Sequence, residues 1–173
     1  MAASDTHILV FAYGSNMLSA RLQERCPGAT PLGVAALRGY DLAWHKRSRD
    51  GSGKCDVVAG TNDSTVFGVV YELPCSQKAS LDRAEGLGAG YNECTVTVML
   101  NDAQADAVIY KATDIDPTLR PYSWYRDLVV AGAQEHGLSA DYVDCLRATQ
   151  AIEDPARECH ALNVALARGG GRS

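Results

Sequence analysis

Apart from one early and one central helical stretch, the apolar residues of this 173-residue chain change their spacing once, and that change limits the folds open to it. Up to Lys111 they cluster or alternate in short runs parted by turn residues, as strands do. From Ser123 onward they recur at helical intervals. The clearest run is Tyr91 to Leu100. There Asn92, Cys94, Val96, Val98 and Leu100 share one face, and Tyr91, Glu93, Thr95, Thr97 and Met99 share the other. Strands first and helices after favour an α+β fold over a doubly wound parallel sheet. Short turns between the strands point to a mixed, mostly antiparallel sheet, curved or closing into a small barrel flanked by helices.

Individual elements follow from local chemistry. His7 to Ala12, rich in Ile, Val and Phe, reads as a buried strand that meets the turn cluster Tyr13-Gly14-Ser15-Asn16. A helix over Ser19 to Arg25 follows, with Ser19 as its cap, and Pro27 ends it. Strands are predicted over Leu32 to Lys46 with a break near Gly39, over Asp56 to Asn62, and over Thr65 to Leu73. Asn62-Asp63-Ser64 would join the last two as a hairpin. Ser76 to Glu85 reads as a helix closed by Gly86. Asn101-Asp102 turns the chain into a partner strand, Gln104 to Lys111. Helices are expected over Ser123 to His136, Ser139 to Thr149, and Asp154 to Arg168, the last capped by Asp154 with Pro155 in its first turn.

The length suits one domain over residues 1–173, with a folded core at 6–168 and a flexible glycine-rich tail at 169–173. A net charge of −5 argues against nucleic acid, since no basic excess is present to displace counterions from phosphates. The one basic cluster, Lys46-Arg47-Ser48-Arg49, reads as a solvated loop continuing through the polar stretch Arg49 to Lys54. No apolar run approaches the ~18–20 residues needed to span a bilayer, and the first residues lack a secretion-signal pattern. A cytoplasmic location is therefore expected. It also suits six scattered cysteines, Cys26, Cys55, Cys75, Cys94, Cys145 and Cys159, with no C-x-x-C pair. Oligomeric state is not readable, and a homodimer stays open.

Two nucleotide motifs fail on inspection. Gly51-Ser52-Gly53-Lys54 has Ser48 and Cys55 where a phosphate loop requires Gly and Ser or Thr. Gly86-Leu87-Gly88-Ala89-Gly90 has Tyr91 in place of the last glycine of a dinucleotide fingerprint and follows a helix. His7, His45, His136 and His160 show no metal-ligand spacing, and adjacent Cys159 and His160 would face different sides of a helix. No metal or cofactor is expected. A Cys–His nucleophile pair stays open, since such partners meet only in the fold.

Two segments carry chemistry. At Phe11-Ala12-Tyr13-Gly14-Ser15-Asn16 a strand runs into a tight polar turn whose freed N–H groups can hold an anion, and Gly14 permits close approach. The same residues also suit a plain strand-to-helix connection with Asn16 or Ser19 as cap. In Leu81-Asp82-Arg83-Ala84-Glu85-Gly86, Glu85 stands at the negative end of a helix, three residues after Asp82. Both neighbours would push its pKa upward, the direction a proton shuttle needs. A solvated surface glutamate is the alternative.

In that order and spacing the segments resemble the γ-glutamylcyclotransferase family. The resemblance continues through Phe67-Gly68-Val69-Val70-Tyr71, Tyr91, Tyr110, Trp124-Tyr125-Arg126, Gly132-Ala133 and His136-Gly137-Leu138, covering nearly the whole chain. One departure is a loop from Glu85 to Tyr91 a residue shorter than in some relatives. The resemblance implies a small β-barrel or curved mixed sheet with a pocket at the end of the first strand. It also implies a cofactor-free release of 5-oxoproline from a small γ-glutamyl substrate. Glu85 would be the general acid/base, and Phe11, Ala12, Tyr13, Gly14, Ser15 and Asn16 would cradle the substrate. Tyr91, Tyr110 and Tyr125 would line the pocket, Tyr125 at the γ-glutamyl end. Whether the turn holds the α-carboxylate or the oxyanion stays open. So does specificity for glutathione or γ-glutamylamines, and so does a non-catalytic binding module of the same fold.

Overall fold

Strand β1, His7–Ala12, grows more buried along its length until Val10, Phe11 and Ala12 are enclosed. Its apolar residues therefore carry the chain from the surface into the interior, and the polar turn after it begins inside the molecule. The computed structural model describes residues 6–169, the side chains of 157–162 excepted. Residues 170–173 of the expected tail lie outside that range, as do the side chains of Cys159 and His160; Gly169 is the last residue of the final helix.

Five strands close into a barrel: β1, β2 (Thr30–Arg38), β5 (Thr65–Pro74), β6 (Tyr91–Leu100) and β7 (Ala103–Ala112). The order around it is β1-β5-β2-β6-β7. Every pairing is antiparallel except the seam, where Val10 of β1 meets Val108 of β7 in parallel. Closure leaves no open edge among these strands. The hairpin at Asn101-Asp102 forms as expected, both residues taking positive φ (48° and 63°), which short polar side chains tolerate.

The long strand predicted from Leu32 to Lys46 does break at Gly39 (φ 80°). Its second half, β3 (Tyr40–Arg47), pairs with β4 (Gly53–Ala59) in a separate two-stranded ribbon. This corrects the expected hairpin: Asn62-Asp63-Ser64 is a turn, but β4 and β5 belong to different sheets. The turn lies at the corner where ribbon and barrel part, with Gly60 N–H donating to Gly39 O (2.9 Å) and Gly39 N–H to Ser64 O (2.7 Å). The basic cluster is also not a loop throughout. Lys46 and Arg47 complete β3, and Arg47 pairs with Asp114 and Asp116. Lys54 likewise lies in β4.

Helices α1 (Ser19–Arg25), α2 (Lys78–Glu85), α3 (Ser123–Glu135), α4 (Ala140–Arg147) and α5 (Arg157–Gly169) flank the barrel. α2 starts later than expected because Cys75–Gln77 winds as a 3-10 turn first. α5 starts after Asp154 and Pro155, yet Asp154 still accepts from Ala156 N–H (2.8 Å) and from Trp124 Nε1 (2.8 Å). Ser139, expected to open the helix over Ser139 to Thr149, instead caps α4, its Oγ accepting from Tyr142 N–H. Ser19, by contrast, does not cap α1.

Ser19 Oγ instead meets the Tyr71 hydroxyl (2.9 Å) and His136 Nε2 (3.2 Å), joining α1, β5 and the end of α3. The Tyr71 hydroxyl donates to Met17 O (2.7 Å) just after the polar turn. Removing that hydroxyl by Tyr71→Phe leaves a buried carbonyl without its partner. A loss of about 1–3 kcal/mol in urea unfolding is expected; an unchanged midpoint would mean the turn is held by other contacts.

Candidate active site

The turn begins where β1 ends. Met17 N–H donates to Gly14 O (3.1 Å) and Leu18 N–H to Ser15 O (3.3 Å), winding Ser15–Met17 into one 3-10 turn. The N–H groups of Ser15 and Asn16 precede the first of these bonds, so the turn itself gives them no acceptor. A Cβ on Gly14 would stand 3.1 Å from Cys55 Cβ and 3.2 Å from the Tyr125 hydroxyl. Glycine is there for close approach.

Glu85 reaches the turn from the far side. It closes α2, and Gly86 leaves the helix in the left-handed region (φ 69°), where Leu87 N–H bonds Asp82 O (2.9 Å). Glu85 Oε1 accepts from Asn16 Nδ2 (2.5 Å) and Arg25 Nη1 (3.2 Å), and Arg25 Nη1 also donates to Asn16 Oδ1 (2.8 Å). Oε2 has no hydrogen bond to any described residue. The carboxylate is 14% exposed. Asp82, the like charge expected to act on Glu85, is itself held by Lys78 Nζ (2.5 Å) and the Tyr110 hydroxyl (2.6 Å).

Phe11, Ala12, Tyr13, Gly14, Ser15, Asn16, Glu85, Tyr91, Tyr110 and Tyr125 all line one pocket at the end of β1. The short loop after Glu85 does not displace Tyr91, which opens β6 and donates its hydroxyl to Cys55 O (2.7 Å). The Tyr125 hydroxyl accepts from Cys55 N–H (3.1 Å), and the Tyr13 hydroxyl donates to Tyr110 O.

Burial sets the protonation of this lining. It raises the phenols of Tyr13, Tyr91, Tyr110 and Tyr125, with neighbouring acidic groups adding to it, so all four stay neutral. The Cys55 thiol is pushed up to about 12, chiefly by burial, and no histidine lines the pocket with it. A thiol so held stays protonated, and this pocket brings no histidine beside it to make a Cys–His pair. Of the pocket's titratable side chains, Glu85 alone is a carboxyl group.

Beyond Glu85 the pocket opens into an outer chamber that shares Ser15, Glu85, Tyr91 and Tyr125 with it. Arg21, Arg25, Lys46 and Lys54 line this chamber, as does Asp50. Lys54 Nζ lies 4.3 Å from the Trp124 ring centroid and 4.4 Å from that of Tyr125. Burial pulls Lys54 down to about 8, although Asp50 lies 3.2 Å away. None of these cations was foreseen, nor was Cys55. A signal existed for the basic ones: Arg21 and Arg25 stand four apart on one helix face, and Lys46 belongs to the one basic cluster of an acidic chain.

The contact at Gly14 is testable through the double-mutant cycle of Gly14→Ala and Tyr125→Phe. Gly14→Ala is expected to destabilise by about 1–3 kcal/mol, because its buried neighbours have little room to yield. Tyr125→Phe removes the hydroxyl the new methyl would strike. The pair should therefore couple by about 0.5 kcal/mol or more in denaturant unfolding. Additive losses would show that Tyr125 does not crowd the turn.

Comparison with known proteins agrees with the geometry. The AIG2-like family model matches residues 65–146. A solved structure of a γ-glutamyl cyclotransferase superposes with a TM-score of 0.84 at 26% identity, covering 92% of this chain and 99% of that one. The γ-glutamylcyclotransferase of Homo sapiens is 30% identical over 148 residues, 82% of this chain and 78% of its own. That of Bos taurus is 31% identical over 140 residues, 78% of this chain and 74% of its own. On the strength of these relatives and of the shared barrel, the chain belongs to the γ-glutamylcyclotransferase family.

Proposed function

We propose that this chain converts a γ-glutamyl amino acid or related γ-glutamyl compound to 5-oxoproline and a free amine, with Glu85 as general acid/base. The observation that carries this reading is the meeting of the Glu85 carboxylate with Asn16 of the polar turn, one oxygen bonded and the other open. The substrate brings its own nucleophile, the α-amine, which closes a five-membered ring on the γ-carbonyl. Holding that amine against the carbonyl supplies ~7–11 kcal/mol of advantage through effective molarity.

In this reading Glu85 Oε2 takes a proton from the α-ammonium, and the amine nitrogen forms the new C–N bond. The tetrahedral intermediate collapses as the bond to the leaving nitrogen breaks and Glu85 returns a proton to it. The attacking nitrogen loses two protons overall and the amine departs as an ammonium, so no net proton is consumed. N–H groups of the turn hold the α-carboxylate, the oxyanion, or both. The neutral phenols do not compete for the proton: Tyr125 stands at the glutamyl end, and Tyr91 and Tyr110, whose hydroxyl protons go to Cys55 O and Asp82 Oδ1, shape the walls. Arg25 keeps the Glu85 side chain turned toward the turn.

A reducing cytoplasm fits the five thiols that stand free among the described residues. No helix among those residues is long and apolar enough to cross a membrane.

The test is 5-oxoproline release from γ-glutamyl dipeptides, glutathione and a γ-glutamylamine. Glu85→Gln, nearly isosteric, is expected to lose ~10²–10⁴ in kcat while keeping its circular dichroism and unfolding midpoint. Turnover close to that of the unchanged protein would remove Glu85 from the proton transfer. Ligand binding with no 5-oxoproline from any substrate would favour the binding module.

A further inference from the structure

The chain carries a net charge of −5, yet the chamber outside Glu85 is positive. Its lining places Arg21, Arg25, Lys46 and Lys54 against Asp50 and Glu85. Arg25 is spent on Glu85, and Lys54 on Asp50. Arg21 and Lys46 have no carboxylate within ion-pair distance among the described residues. Arg21 donates Nε to Ser15 Oγ (2.9 Å) and Nη1 to Asn163 Oδ1 (3.4 Å), both neutral acceptors. Lys46 Nζ makes no hydrogen bond to a described residue and rests 4.7 Å from the Tyr91 ring centroid.

Such an arrangement is unfavourable for the empty protein. Burial is the main force lowering the pKa of both Arg21 and Lys46, with like-charge repulsion from Arg25 at Arg21, and it outweighs the attraction of Glu85 for both and of Asp114 and Asp50 for Lys46. Charged groups removed from water without partners are retained where a ligand supplies the counter-charge. Farther out, Arg49 and Arg83 line a connecting groove with Lys46 and Glu85, and extend the positive mouth.

Resting on the activity proposed above, we infer that the outer chamber selects an anionic leaving group: a γ-glutamyl linkage to an acidic amino acid, whose α-carboxylate meets Arg21 and whose side-chain carboxylate meets Lys46. The position follows from the chemistry. The γ-glutamyl half occupies the inner pocket between the turn and the tyrosines, the scissile bond lies beside Glu85, and the chamber's shared residues leave it as the space for the departing amine. A cationic leaving group, such as the far end of a diamine, would face the same uncompensated charges and be disfavoured.

An isosteric series separates charge from size. We would compare kcat/KM for γ-glutamyl-glutamate, γ-glutamyl-glutamine, the C-terminal amide of γ-glutamyl-glutamine, and γ-glutamyl-putrescine. Each lost carboxylate is expected to lower kcat/KM by about tenfold at low ionic strength, mainly through KM. The differences should shrink in 0.5 M salt, about which screening shortens to a few ångström. Lys46→Gln should bring the ratio between γ-glutamyl-glutamate and γ-glutamyl-glutamine toward one. Lys46→Arg should preserve that ratio. Equal kcat/KM for the first three substrates, or a ratio untouched by Lys46→Gln, would overturn the inference while leaving the cyclotransferase reading intact. Failure of all four substrates to yield 5-oxoproline would instead overturn both.

Discussion

The side-chain amide of Asn16 stands where three parts of the chain meet. Its nitrogen donates to Glu85 and its oxygen accepts from Arg25, so a turn, the end of α2 and the end of α1 share one small network. The two partners fix which way the amide points, since a carboxylate takes only the nitrogen and a guanidinium only the oxygen. A carboxylate at the end of a helix would otherwise be a mobile surface group. Held here by Asn16 and Arg25, it keeps Oε1 occupied and leaves Oε2 without a hydrogen-bond partner among the described residues.

Around that network the protein sorts its ionisable groups by desolvation. The pocket contains four phenols, a thiol and a carboxyl group. Removal from water disfavours the anion of each phenol and of the thiol, and only the carboxyl group sits beside a guanidinium. On the proposed reading, this leaves proton transfer to Glu85. The hydrogen bonds among Tyr91, Tyr125 and Cys55 use backbone groups of β4 as fixed points, which ties the ribbon to the barrel at this level.

Much of this was legible because local chemistry and fold agree. β1, α1 and β6 have the bounds their patterns imply, and the break at Gly39 follows from a backbone angle that glycine adopts freely. The misreadings share a cause: each needed a tertiary partner. Asn62-Asp63-Ser64 has turn chemistry, but whether the flanking strands pair with each other depends on β3, which claims β4 first. Ser19 has the chemistry of a cap, but Tyr71 and His136 compete for its hydroxyl. Lys46 and Lys54 read as solvated because their sequence neighbours are polar. Their burial comes from Tyr91, Trp124 and Tyr125, which arrive from distant segments. Glu85 and the turn could be paired only through family likeness, since 69 residues separate Asn16 from Glu85.

The two halves of the site rest on different kinds of scaffold. The inner pocket is built where β1 leaves a closed barrel, with Tyr91, Tyr110 and Tyr125 arriving from β6, β7 and α3; every strand of that frame has neighbours on both sides. The outer chamber draws Lys46 and Lys54 from β3 and β4, a ribbon whose strands pair chiefly with each other. A lone two-stranded ribbon is marginally stable and opens more readily than a barrel wall. On the proposed reading, recognition of the common glutamyl half falls to the barrel frame, and discrimination among departing amines to the ribbon.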